Sequence, residues 1–313
     1  KSAWWAPPTP ATPLIPGQAS KLPEGVRQAV NRTHKMYIGG SQCRPDAPYV
    51  RAILSPSGQL LGEVGEGNRK DVRNAVEAAY AAAPGWGKRA AYNRSQILYF
   101  VAENLDAQYD QYVKLIDAMT GCGEEAARHE VTASIDRLFY WAAFTDKYGG
   151  NVQETPLYGA TVSIHEPVGV VGIACPDECP LLAFVSLFAP AIVRGNAVVI
   201  VPSQQYPLAA VELFRVFECS DVPAGVVNVI TGDRDHLTKT LAEHMEVTSM
   251  WYFGPKPIGS YHVEKLSASN LKRTFCNYGV ARDWYSEEQA QGHEFLYHAT
   301  QVKNVWIPAG SGI

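Results

Sequence analysis

From Val168 onward the chain alternates short β-branched runs with helical stretches, and no other feature restricts its fold so strongly. The runs are VGVVGIAC, AVVIVP, VVNVI, VTSMWYF and LKRTFCN. A continuous apolar run is what a strand buried on both faces requires. Between the runs lie helical segments at about 181–193, 207–217, 236–244 and 258–267. Strands alternating with helices of this length predict βαβ units, right-handed crossovers and a Rossmann-like, doubly wound parallel sheet over about 168–279. A ligand in such a sheet sits beyond the carboxyl ends of the strands. Those ends fall at 175–180, 201–205, 231–235 and 253–257.

Ahead of the sheet the pattern differs. Residues 1–34 hold six of the chain's 21 prolines and read as an extended linker. Trp4 and Trp5 within it are either a docking anchor or two aromatics in a tethered tail. A module over 35–281 follows. KMYIGG and YVRAILSPSGQLLGEV read as short strands with a turn at Ser55-Pro56-Ser57-Gly58. Asn68, with Asp71 three residues on, caps an Ala-rich helix carrying Val72, Val76 and Ala79 on one face. Pro84-Gly85 is expected to end it. A second helix is predicted over 93–119 with Gly121 as its C-cap. A third is predicted over 124–148, with Val131, Ile135, Leu138, Phe139 and Ala142 as its stripe and Gly149-Gly150 as its stop. These three form an N-terminal helical region.

Two segments alternate instead of running apolar. TVSIHEP, in a predicted hairpin at about 150–167, and YHATQVKNVWIP, in the final region 282–313, each read as a strand exposed on one face. Together they predict a protruding antiparallel β-flap. A polar connector, DWYSEEQAQGHE, precedes the second.

Composition excludes several functions. With 27 basic and 31 acidic residues the net charge is −4, which provides no footprint for nucleic acid or an anionic membrane. The apolar runs are too short to span a bilayer. Six cysteines without framework spacing point to reduced thiols and a cytoplasmic location. There is no signal-peptide pattern, and the chain opens KSAWW without Met, as expected of a piece of a longer polypeptide.

Cys175 and Cys179 frame two carboxylates, but not at the spacing of zinc or redox motifs, so no metal is expected. Cys122 and Cys276 read as inert thiols, without a histidine paired to them by motif. His165 falls on the flap as a surface or interface residue. Asp233, Arg234, Asp235 and His236 crowd a helix start, where acids suit a cap and oppose a phosphate.

YIGG, SPSGQLLGEVGEGNRKDVRNAVEAAY, PGW, EPVGVVGI, P-x-x-x-PLL, GNAVVIVPSQQYP, PAGVVNVITG and LKR occur in one order. By them the chain resembles the aldehyde dehydrogenase superfamily over nearly all of residues 35–279. TQVKNVWIP resembles that family's C-terminal strand, which joins a hairpin in an oligomerisation flap.

Two departures accompany the resemblance. The family places a catalytic domain between the LKR strand and the C-terminal strand; here only residues 280–294 lie between, so that domain is expected to be absent. The family's reactive positions also differ. Its Pro-Trp-Asn-Phe-Pro, with the oxyanion-donating Asn, appears as Pro176-Asp177-Glu178-Cys179-Pro180, and an ionised Glu178 only accepts. Its ribose-holding Lys-Pro-x-Glu appears as Val201-Pro202-Ser203-Gln204. Its Phe-Thr-Gly-Ser turn appears as Tyr252-Phe253-Gly254-Pro255, where Pro255 lacks an N–H. Its Glu-Leu-Gly-Gly, with the general base, appears as Asn277-Tyr278-Gly279-Val280, and an amide is no base.

This pattern is similar to the truncated second module of the bipartite aldehyde dehydrogenases, family sixteen. The resemblance implies a non-catalytic module with degenerate positions Glu178 and Asn277. It implies a vestigial cofactor site at Pro176, Val201, Gln204, Gly232, Gly254 and Pro255 that holds no cofactor. The flap would present Val162, Ile164, His165, Val302, Val305 and Trp306 for docking on the first module of the same polypeptide and for homodimerisation. The alternative is the cofactor half of an active, NAD-dependent aldehyde dehydrogenase whose catalytic domain is not in this chain. Glu178, Val201 and Asn277 discriminate, since an active enzyme keeps the parent residues.

Overall fold

The computed structural model describes residues 33–156 and 159–309, so Trp4, Trp5 and nearly all of the Pro-rich segment lie outside the described residues. The described residues open with β1 (Thr33–His34), β2 (Met36–Ile38), β3 (Ser41–Cys43), β4 (Val50–Leu54) and β5 (Leu60–Gly65). The Gly58 N–H donates to Ser55 O at 2.9 Å and closes the expected turn between β4 and β5. Four helices follow: α1 (Arg69–Lys88), α2 (Ala91–Asp106), α3 (Tyr109–Thr120) and α4 (Glu124–Phe144). β6 (Asn151–Gln153), β7 (Gly159–Pro167) and β8 (Val170–Ala174) come next. The alternating part is α5 (Leu182–Val193), β9 (Ala197–Val201), α6 (Leu208–Glu212), α7 (Phe214–Cys219), β10 (Val227–Val229), α8 (Arg234–Glu243), β11 (Ser249–Tyr252), α9 (Pro257–Ser267) and β12 (Arg273–Cys276). α10 (Glu287–Ala290), α11 (His293–Ala299) and β13 (Thr300–Pro308) are the last described elements.

The main sheet has the order β12-β11-β8-β9-β10-β2-β3. β8 to β12 are the five parallel strands, and β2 and β3 add an antiparallel edge. The fold is α/β and Rossmann-like. Both faces of the sheet are covered, as the apolar runs require. Val198 and Ile200 of β9 face the core shared with α2, α4 and α5. Ala197, Val199 and Val201 face the core shared with α1, α8 and α9. Every residue of α5 is buried, since it lies between the sheet and α4.

Local signals mislead at four helix ends. α1 runs on through Pro84 because Trp86 is buried and its indole Nε1–H donates to Ile192 O at 2.8 Å. The predicted second helix is two, broken where Gln108 leaves helical geometry (ψ 15°); the bend lets both Leu105 and Tyr112 reach the core. α4 stops at Phe144, ahead of the Gly149-Gly150 pair. Tyr297 to Ala299 are helical and not strand, because Phe295, Leu296 and Ala299 are buried at helical spacing.

A separate three-stranded sheet, β13-β7-β6, forms the flap. β13 pairs antiparallel with β7 along its whole length, from Thr300 opposite Pro167 to Pro308 opposite Gly159. Gly150 is required beside it: a Cβ there would lie 1.9 Å from Ser163 O.

Candidate functional site

The strand order sets the crevice. The chain leaves β8 for β9 and β10, then returns to β11 on the other side of β8. The order therefore reverses between β8 and β11, and a ligand crevice opens beyond their carboxyl ends. Pro176, Glu178, Val201, Gln204, Gly232, Gly254, Pro255 and Asn277 all follow or end strands of this group, as their spacing predicts.

The chain's own side chains cross this crevice. Asp177, on the loop after β8, is ion-paired with Arg234 at the start of α8. Ser203 Oγ and the Gln205 N–H donate to the same carboxylate at 2.8 and 3.2 Å. Burial raises the pKa of Asp177, but Arg234 and these donors outweigh it and hold the carboxyl below its ordinary range. The Gln204 carboxamide oxygen accepts the Arg234 N–H at 3.1 Å. Val201 is fully buried. Val201 has no polar side-chain atom to offer a ribose, and Gln204 stands with its carboxamide oxygen already taken. Asp233 caps α8 by accepting the His236 N–H at 2.8 Å, the cap that the sequence suggested.

At β11 the Tyr252 hydroxyl donates to Asp235 at 2.9 Å. Its ring fills the space beneath the next turn: a Cβ on Gly254 or Gly259 would lie 2.3 or 2.2 Å from that hydroxyl. α9 begins with Pro257 and has no side-chain cap. With Pro255 and Pro257 both lacking N–H groups, this helix start is a poor anion site.

Asn277 ends β12. Its Nδ2 donates to Gly254 O (3.0 Å) and Val280 O (3.2 Å). The connector beyond it closes over an aromatic cluster. Trp284 is buried, with its ring 5.6 Å from Phe253, and Phe253, Phe275 and Phe295 pack edge to face. Arg282 lies over these three rings and makes a fork to Glu294 at 2.8 and 2.9 Å. Arg137 donates to Ser186 Oγ, Ala290 O and Trp284 O, clipping the connector to α4 and α5.

The four cysteines singled out by the sequence are not activated. Burial pushes the thiols of Cys175, Cys179 and Cys122 up, and that of Cys276 up to about 12. A basic cleft of about 620 Å³ lies between α1 and α8. Its Lys70 and Arg73 are already paired with Asp46 and Glu77.

On the flap, Val162, Ile164, His165, Val302, Val305 and Trp306 are indeed brought together, but not on one face. Register pairs Val302 with His165 and Trp306 with Thr161, while Val305 pairs with Val162. Residues opposite each other share a face, and faces alternate along a strand. Val302 and Trp306 therefore lie on one face, and Val162, Ile164 and Val305 on the other. The second face gains Val152, which pairs with Val162. His165 is not free: its ring stacks on Tyr148 at 4.2 Å, and Nδ1 lies 2.8 Å from Gly149 O.

Sequence reasoning missed Asp177, Arg234 and Tyr252 as a connected group. The only local signal was an acidic loop and a basic residue at two strand ends.

A family model described as the aldehyde dehydrogenase family matches residues 16–297. An aldehyde dehydrogenase from Enchytraeus buchholzi is 31% identical over 274 residues, 83% of this chain and 54% of the relative. Retinaldehyde dehydrogenase 3 from Rattus norvegicus is 30% identical, covering 84% of this chain and 52% of the relative. Among solved structures, PnpE from Pseudomonas sp. WBC-3 superposes with a TM-score of 0.75 at 27% identity, covering 78% of this chain and 50% of that one. A betaine aldehyde dehydrogenase variant from Staphylococcus aureus, solved with NAD+, gives 0.74 at 26% identity, covering 78% and 50%. The chain spans about half the length of these relatives.

Proposed function

The chain belongs to the aldehyde dehydrogenase family, and on that footing we propose that it is a non-catalytic module of a bipartite, cytoplasmic member. It docks on the first module of the same polypeptide and homodimerises through its β-flap. The observation that carries this reading is Asn277. It stands where the resemblance places the general base, its amide bonded to two backbone carbonyls, and the chain passes from it directly into the connector sealed by Trp284. An amide so placed takes no proton from water.

The crevice residues do not fit NAD. Val201 offers no polar atom to a ribose, the Gln204 carboxamide oxygen is taken by the Arg234 N–H, the Tyr252 ring lies under the Gly254 turn, and Pro255 and Pro257 bring no N–H to the start of α9. The apolar row Val152, Val162 and Val305 supports the flap as the contact surface.

The test is NAD(P)H production by the purified chain with a panel of aliphatic and aromatic aldehydes. No turnover is expected. A rate above ~0.1 s⁻¹ would overturn the proposal in favour of an active, NAD-dependent half-enzyme.

A further inference from the structure

Asp177 carries its carboxylate into a set of donors from two other segments, the loop after β9 and the start of α8. Ser203 Oγ and the Gln205 N–H reach Oδ1, and one terminal nitrogen of Arg234 reaches Oδ2. Ser203 Oγ also accepts the Tyr206 N–H at 2.9 Å, which turns its hydroxyl proton toward Asp177. The other terminal nitrogen of Arg234 is buried without a hydrogen-bond partner, on a side chain only 6% exposed. A backbone N–H, a hydroxyl and a guanidinium nitrogen converging on the two oxygens of one carboxylate are the donor chemistry of an oxyanion site, more than of a surface ion pair. Two nearby acids on α8 are otherwise engaged: Asp233 caps the helix, and Asp235 holds the Tyr252 hydroxyl.

We propose that these donors form a small-oxyanion site which Asp177 fills in cis as a tethered ligand. The carboxylate stands in for a bound anion and ties the loops after β8 and β9 to α8. Removing it leaves a site for a free carboxylate or inorganic phosphate. Asp233 and Asp235 nearby keep the affinity of such a free anion in the millimolar range or weaker. This inference concerns the crevice of the proposed non-catalytic module and rests on that reading only for its consequence, which is that the crevice is held closed from within.

The experiment is anion rescue of Asp177→Ala in the full chain. Breaking the pair should lower Tm by roughly 10 °C. Sodium formate or acetate should restore part of the loss saturably, and sodium phosphate tests whether the site discriminates between the two oxyanions. Sodium chloride at equal ionic strength should not restore it, and Asp177→Ala/Arg234→Met should not respond. Equal rescue by chloride, equal rescue of the double variant, or an unchanged Tm in Asp177→Ala would overturn the proposal. Should Asp177→Ala fail to fold, Asp177→Asn serves: its Tm should fall and lose the wild-type acid step below the ordinary aspartate range, and retention of that step refutes the site. Calorimetry of the unaltered chain with NAD separates the two readings. Tight NAD binding sinks the non-catalytic module, whereas failed anion rescue sinks only the tethered ligand.

Discussion

Glu130 on α4 caps the start of α5, 51 residues away: its Oε1 accepts the Leu181 N–H at 2.8 Å and the Leu182 N–H at 3.2 Å. α5 has no side-chain cap from its own end. A carboxylate brought from another helix satisfies donors that would otherwise be orphaned in the core.

The pH dependence of stability should expose this cap. Burial pushes the Glu130 carboxyl from 4.5 up to about 7, against the pull of its two N–H bonds. The folded chain therefore keeps the proton longer, and the resulting stability is full below pH 4.5 and lost as pH rises through about 7. The swing is about 3 kcal/mol. His298, stacked on Phe275, acts oppositely: burial lowers it from 6.5 to about 4, so its contribution is present above 6.5 and lost as pH falls. The two slopes offset each other in the wild type. Glu130→Gln should remove the first and leave Tm rising from pH 4 to 7, read by calorimetry. A profile parallel to the wild type would refute the Glu130 assignment.

On the proposed reading, in which the ribose lysine, the ribose glutamate and the N–H at Pro255 are replaced, NAD should bind about a hundredfold or more weakly than to a working site of this fold. Isothermal calorimetry reads this directly. A dissociation constant in the low micromolar range contradicts it.

The dimer contact should lie on the Val152, Val162 and Val305 face of the flap. Val152 is 76% exposed, and an aspartate beside Val162 would place a charge in the contact. Val152→Asp is expected to dissociate the assembly in analytical ultracentrifugation with an unchanged circular dichroism spectrum. Trp306→Asp, on the opposite face, should leave it intact. The reverse outcome would move the contact to the Val302 and Trp306 face.

Arg137→Met should loosen the connector first. It leaves the Ser186 hydroxyl and the carbonyls of Trp284 and Ala290 without their charged donor, a loss of roughly 3 kcal/mol or more. Limited proteolysis should then cut within 280–292 well before it cuts α4. Unchanged cleavage would show that Trp284 alone holds the seal.

The sheet was legible because each buried strand spells its environment: VGVVGIA has no polar position to place in water. The Asn68–Asp71 capping box and the left-handed Gly121 cap were legible for the same local reason. What was not legible depends on distant partners. Pro84 reads as a stop until Ile192 O is there to receive the Trp86 indole. Arg234 reads as one member of a helix start until Asp177, 57 residues away, meets it. The flap strands and the opposite faces of Val302 and Val305, three residues apart, follow from alternation, but which β7 residues join each face follows from register: Val305 meets Val162, and Val302 meets His165.

The pairing of β13 with β7 also orders events in the cell. Lys303 and Glu166 face each other across 137 residues, so β7 leaves the ribosome long before its partner strand exists. Until then only β6 covers one side of β7, and its other edge stands open to any extended chain. A strand synthesised well after the parallel sheet is thus the one that closes the flap. A ribosome stalled before Thr300 would release a chain with its sheet built and one edge still templating strands.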